Sequence, residues 1–257
     1  DDPKTRKAAM HGLMGIGPAA QPAVPILIGA LKHEDFHTQY FAEKTLGGIG
    51  PNALEAVPHL LERLTEGLPS VRRYAAQALG DIGPEIGSQA VAALIEALAD
   101  PVQPVRQEAV AALGKLGTSA APAIPIIRRS LDERTTKSPV EAAIALWSLT
   151  GETETTVAVL VEQLQGLDNP FKAALAFERL GPAAAQAVPK VAELLKSDDP
   201  VTRTCAAQAL GEMGPTAKPA VAALGRCLED PDSDVRETAT EALLSIDRKD
   251  GGNESKK

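Results

Sequence analysis

Aromatic residues make up only 3% of this 257-residue chain, cysteines number two, and acidic residues outnumber basic ones 34 to 26, for a formal charge of −8. Each shortage excludes something. Cys205 and Cys227 are too few for a disulfide framework and too far apart for a CxxC redox or zinc pair, so buried free thiols are expected. An acidic, aromatic-poor chain has no concentrated cationic surface to release counterions from a phosphate backbone. That excludes nucleic acid as the main partner and disfavours an anionic membrane surface. No run approaches the ~18 apolar residues a membrane span needs, and no basic-then-apolar leader opens the chain, so no membrane insertion is expected. The chain starts at Asp1 rather than Met, so a removed leader or a larger parent protein stays open. The cytoplasm is the preferred compartment, with export still open.

What is present is a small aliphatic core material, 44% of the residues being hydrophobic, together with 21 Gly and 20 Pro at regular intervals. The segments GLMGIGP, TLGGIGP, ALGDIGP, ALGKLGT, LWSLTG, FERLGP, ALGEMGP and LLSID superpose with anchors at Gly17, Gly50, Gly83, Gly117, Thr150, Gly181, Gly214 and Asp247. The period is about 33 residues, shortest, at 31, between Thr150 and Gly181. Eight residues before every anchor stands an alanine: Ala9, Ala42, Ala75, Ala109, Ala142, Ala173, Ala206 and Ala239. Large apolar residues follow four before and one before, as in Leu46 and Ile49 or Leu79 and Ile82. Offsets of i, i+4 and i+7 are one face of a helix, here helix A.

The anchor Gly and the Pro after it stop helix A. A second stripe, helix B, begins seven residues past the anchor, as in Val24, Leu27, Leu31 and Val57, Leu60, Leu64. Pro25, Pro58, Pro125 and Pro189 sit near its start, where a missing N–H costs least. Acidic linkers such as Asp100-Pro101 and Asp199-Pro200 lead to the next helix A. The repeats lie near 1–33, 34–66, 67–100, 101–133, 134–165, 166–198 and 199–231, with a half repeat at 232–247 and a polar tail, expected to be disordered, at 248–257.

The recurring pattern, nearly intact in SVRRYAAQALGDIGP and FERLGPAAAQAVPKVAELL, resembles the HEAT repeat, specifically the phycobilisome-lyase type of HEAT-like repeat, over residues 3–246. The resemblance implies an all-α, right-handed α-solenoid of about seven and a half helical hairpins. In it the B helices line a concave surface offered to a protein or peptide partner.

Arg6, Arg72, Arg106, Arg203 and Arg236 recur eleven residues before their anchors, with Gln39, Pro139 and Pro170 in the other repeats. Pairing with linker carboxylates such as Asp100 or Asp199 is expected, tying one repeat to the next. Repeats five and six depart most from the pattern. Trp147, Phe171 and Phe177 there are expected to repack around the short step, an aromatic pocket being the alternative.

His33-Glu34-Asp35-Phe36-His37 reads HExxH, but it falls in a linker rather than on a helix and lacks a third ligand, so a solvated linker is expected. Di-iron hydroxylases of HEAT-like build use several His-Glu pairs, and this chain has one. HEAT-like DNA glycosylases use a basic surface that it lacks. No phosphate-binding glycine loop or nucleophile elbow appears, and no catalytic, metal or cofactor site is expected. The enzymatic alternative is a lyase-type enzyme or accessory subunit acting on a chromophore of a partner protein; a docking arm of a larger protein is another.

If the B helices line the concave face, residues twelve past the anchors, or thirteen in the longer third repeat, look out along it: Glu62, Glu96, Arg129, Glu162, Glu193 and Arg226, with Arg63 adjacent. This strip is the candidate contact for a partner with a basic segment. The open face of the N-terminal repeat is expected to allow self-association.

Overall fold

The computed structural model describes residues 2–166 and 170–247, apart from the side chains of Pro3, Lys4, Arg6 and Lys7. The tail expected at 248–257 and the Arg6 side chain lie outside the described residues. The chain forms two compact units, one ending at Gly151 and one starting at Glu152. Among the described residues there is no strand.

The first unit runs α1 (Pro3–Ile16), α2 (Val24–Ala30), α3 (Phe36–Ile49), α4 (Val57–Glu66), α5 (Pro69–Ile82), α6 (Ser88–Glu96), α7 (Gln103–Lys115), α8 (Ile124–Asp132) and α9 (Pro139–Thr150). The second runs α10 (Thr153–Gln163), α11 (Pro170–Leu180), α12 (Val188–Leu194), α13 (Pro200–Glu212), α14 (Val221–Cys227) and α15 (Ser233–Asp247). Odd-numbered helices are the A elements and even-numbered ones the B elements. Within each unit, successive A helices pack on one another, and every B helix packs on the A helix that follows it.

The glycine anchors act as the sequence predicts. Gly50 and Gly83 leave α3 and α5 with φ of 69° and 105°, a region where a side chain would be strained. A seven-residue 3₁₀ segment then carries the chain from A to B in most repeats, for example Gly50–Ala56 and Gly214–Ala220. The proline after the anchor, as at Pro51 or Pro215, fits because the first turn has no use for its missing N–H.

The fifth repeat corrects the expected anchor. Helix α9 runs through Thr150, and the cap is Gly151, whose left-handed backbone (φ 74°) lets its N–H reach the Trp147 carbonyl at 2.7 Å. No 3₁₀ segment follows, so α10 starts two residues on, at Thr153. The stripe residues Val157, Leu160 and Leu164 are still buried. In the second unit Phe177 is fully buried and Phe171 is exposed; in the first, ring contacts gather around His11, Tyr40, Phe41 and Tyr74 on α1, α3 and α5.

The alanine column is buried from Ala42 to Ala142 in the first unit and at Ala173, Ala206 and Ala239 in the second. In the first repeat Ala9 is exposed and Ile16 is 54% exposed, because no A helix packs on that side of α1. The segment Ala8–Ala30 also corrects the expectation about apolar runs: by length and composition it could cross a membrane, at mean hydropathy 1.4. It is not one straight helix, since Gly17 (φ 63°) breaks it and Leu27 and Leu31 turn into the core.

The arginine ladder grips a linker carboxylate, as expected, at Arg72 and Arg203. Arg72 donates from Nε and Nη2 to the two oxygens of Asp100 at 2.7 and 3.0 Å, and from Nη1 to the Gly67 carbonyl at 2.9 Å. Arg203 grips Asp230 in the same way, at 2.9 and 2.8 Å. The arginine of the next repeat holds the backbone of that linker: Arg106 donates Nη1 to the Asp100 and Pro101 carbonyls, and Arg236 to those of Asp230 and Pro231. Asp199 is not gripped by an arginine fork. The repeat before it has Pro170 in the arginine position, and Asp199 instead caps α13 through the Val201 and Thr202 amides and the Thr202 hydroxyl.

Candidate protein-interaction surface

The exposed row of the B helices carries the sequence-predicted strip. Glu62 on α4, Glu96 on α6 and Arg129 on α8 are exposed in the first unit. Glu162 on α10, Glu193 on α12 and Arg226 on α14 are exposed in the second, where Glu193 pairs with Lys196 at 2.8 Å. They face solvent because the buried stripe of each B helix, such as Val57, Leu60 and Leu64, takes the opposite side.

Two of these residues meet in one feature. Glu62 and Glu96 line a groove of about 860 Å³ between α4 and α6. Leu54, Val57, Leu61 and Ile86 give it an apolar lining, and Glu85 adds a third carboxylate. No Lys or Arg lines it, so the groove is acidic over an apolar base. Sequence reasoning missed Glu85. Its signal was the extra residue of the third repeat, which shortens the 3₁₀ segment to Pro84–Ile86 and places Gly87 (φ 86°) at the entry to α6.

Arg63 leaves the strip. Its side chain is 15% exposed and turned inward, donating Nε to Glu43 at 2.7 Å, Nη1 to the Leu31 carbonyl at 2.6 Å and Nη2 to Gln39 at 2.9 Å. The second repeat has Gln39 where others have the ladder arginine, and Arg63 reaches the preceding linker from the B helix instead. Burial pushes the Glu43 carboxyl up to about 7, outweighing the hydrogen bond and charge of Arg63. Its Oε2 is buried without a hydrogen-bond partner.

The HExxH residues build a helix start. Asp35 caps α3 by accepting from the His37 and Thr38 amides, and its own N–H donates to Nδ1 of His33 at 2.9 Å. Among the described residues no three His, Cys, Asp or Glu side chains come together to hold a metal. Cys205 and Cys227 are buried free thiols. Burial, with a smaller contribution from the Asp199 charge, lifts the Cys205 pKa to about 11.

In each unit a stack of helical hairpins with a buried alanine column and an exposed B-helix row defines the build of an α-solenoid repeat protein. Residues 57–150 and 157–244 match the sequence profile of HEAT repeats, and the chain belongs to that family. No curated protein matches it in sequence. Similar solved structures include the complex of CpcE and CpcF of phycocyanin lyase from a Nostoc species, at 26% identity, 87% of this chain, 94% of that one and TM-score 0.47. An engineered protein is similar at 23% identity, 96% and 75% coverage and TM-score 0.43. A designed armadillo repeat protein in complex with the peptide (KR)4 is similar at 16% identity, 87% and 99% coverage and TM-score 0.38.

Proposed function

We propose that this HEAT-repeat chain is a non-enzymatic protein-interaction scaffold whose B-helix face takes a basic segment of a partner protein. The observation that carries the reading is the α4–α6 groove: Glu62, Glu85 and Glu96 around apolar side chains, with no cation among the lining residues. Such a groove suits an extended segment that sets alkyl stems on the apolar base and places ammonium groups against the carboxylates. Glu162 and Glu193 are the matching acidic contacts on the second unit, and Arg129 and Arg226 serve acidic residues of the partner. Self-association is proposed through the exposed Ala9 and Ile16 side of α1. An enzymatic role through a thiol is disfavoured, because Cys205 is buried and its pKa is raised.

The test measures binding of a short peptide of alternating Lys and Leu, and of its Glu-for-Lys counterpart, to the native chain and to a Glu62→Lys, Glu96→Lys variant shown to be folded by circular dichroism. The Lys peptide should bind, weaken as salt is raised, and lose affinity about tenfold or more on charge reversal. Equal binding of both peptides, or unchanged binding by the variant, overturns the reading.

A further inference from the structure

The arginine ladder has a rung without its carboxylate. Arg72 and Arg203 each use the Nε–Nη2 edge of the guanidinium to grip both oxygens of an aspartate in the next linker. Arg106 occupies the same place in α7, and its Nη1 donates to two linker carbonyls, as that of Arg203 does, at 2.6 and 3.0 Å. Its Nε and Nη2 make no hydrogen bond among the described residues. The cause is visible one repeat on. Glu133 stands where Asp100 and Asp230 stand, nine residues after the start of the B stripe, but α8 continues through Asp132 and carries Glu133 into its exposed C-cap. Arg134 then takes a positive φ of 53°, unusual for a side-chain-bearing residue, and the linker runs on through Thr135, Thr136 and Lys137.

The longer linker opens a pocket of about 430 Å³ beside Arg106. Its wall is apolar on one side, with Ile95, Leu98, Val110 and Ile126, and polar on the other, with Arg106, Lys137, Ser130, Thr135, Thr136 and Ser138. Ser138 is 2% exposed, and its Oγ has no hydrogen-bond partner, a cost a folded chain rarely leaves standing. The single carboxylate in the lining, Asp100, is already gripped by Arg72. The site therefore holds an unused two-pronged donor, a second cation and an orphaned hydroxyl, beside a surface for an aliphatic group.

We propose that this pocket binds a carboxylate carried on a short aliphatic body, which completes the missing rung: its two oxygens take the Nε and Nη2 donors of Arg106, Ser138 supplies a hydroxyl, and the body lies on Ile95, Leu98 and Ile126. The same chemistry is offered by a free branched-chain carboxylate and by the C-terminal Leu of a peptide. The site lies apart from the acidic groove and takes a ligand of opposite charge, so it stands whether or not the groove binds a basic segment.

The experiment titrates the full chain with 4-methylpentanoate and with an N-acetylated tripeptide ending in Leu with a free carboxylate. Each is compared with its carboxamide by calorimetry and by amide chemical shifts. At least one carboxylate should bind, its amide about tenfold or more weaker, with shifts confined to residues 95–142. Binding of the free acid alone assigns a small metabolite-like carboxylate, and binding of the peptide alone assigns a chain terminus. Arg106→Lys, which keeps a donor for the linker carbonyls but loses the fork, should weaken binding by a similar factor, and Ser138→Ala by less. Because the amide comparison uses the native chain, it stands even if a variant is unstable. Failure of both carboxylates to bind, equal binding of the amides, or shifts centred elsewhere overturns the proposal.

Discussion

Arg72 and Asp100 face each other across the seam between the third and fourth repeats through two parallel hydrogen bonds of 2.7 and 3.0 Å, with side chains only 16% and 9% exposed. The pair is shielded enough to matter for stability, and the same arginine also satisfies the Gly67 carbonyl. Arg72→Ala should therefore destabilise the chain by roughly 2–3 kcal/mol, most of it from leaving Asp100 unpaired. Urea unfolding of Arg72→Ala, Asp100→Ala and the double variant should show a coupling of about 1–3 kcal/mol; strictly additive losses would mean that the pair contributes nothing jointly.

The ladder carboxylates should set the acid limit of stability. Burial pushes Asp100 up, but the hydrogen bonds from Arg72 and the Val102 amide, with the charges of Arg72 and Arg106, hold its pKa below the usual carboxylate value. Hydrogen bonding from Arg203 lowers Asp230 despite its burial. A depressed carboxylate stabilises the fold above its unfolded pKa, and that contribution is lost as pH falls through the folded one. Thermal melts of native chain and Asp230→Asn should converge at low pH and separate near neutrality. A constant gap at all pH values contradicts this linkage.

Glu43 works with the opposite sign. Its folded pKa is raised from 4.5 to about 7, so the folded chain holds a proton that the unfolded chain releases. That contribution is complete below 4.5 and is lost as pH rises through about 7. Glu43→Gln should flatten the decline of stability over this window while leaving the acid limb unchanged. An identical slope in both proteins counts against a proton on Glu43.

The closest helix contact makes a paired glycine test. A Cβ on Gly80 would lie 2.6 Å from the Cα of Ala112, whereas one on Gly48 meets nothing within 4 Å. Gly48→Ala should stabilise by up to about 1 kcal/mol through helix propensity. Gly80→Ala gains the same propensity but forces α5 and α7 apart, for a net loss of about 1–3 kcal/mol. Melting temperatures that rise for both would place the two helices further apart than described.

Both thiols should be silent in the folded chain. Cys205 is buried with its pKa lifted to about 11, and burial raises Cys227 as well. A disulfide-exchange reagent near neutral pH should label neither thiol natively and both after denaturation. Fast native labelling of either one would reopen thiol chemistry.

The parts legible in the sequence were those tied to strict periodicity. Ala42, Ala75 and Ala109 recur because each sits where two helices touch, and Arg72 and Arg203 recur because each answers a carboxylate in the next linker. What escaped was decided by departures from the period. Arg63 looked like a surface charge next to Glu62, yet the absence of a ladder arginine at Gln39 drew it inward. Asp199 looked like a rung and became a cap, because its arginine position holds Pro170. The Arg106 pocket depends on how far α8 continues, and no spacing in that stretch reveals a helix end: Glu133 keeps its register and loses its partner. The fifth cap moved by one residue because Thr150 continues the helix and only Gly151 accepts the left-handed turn.

The contact of Gly80 with Ala112 and the grip of Arg72 on Asp100 both form although the repeat between them is one residue longer than its neighbours. The bend between A and B is where the count of residues between neighbouring A helices is adjusted, with one residue more at Gly87 and no 3₁₀ segment after Gly151. Small insertions and deletions are therefore absorbed at these bends, while the seams admit change only as entire hairpins gained or lost. Chains of this design should diverge in copy number and in bend length long before they diverge in the faces their A helices present to one another.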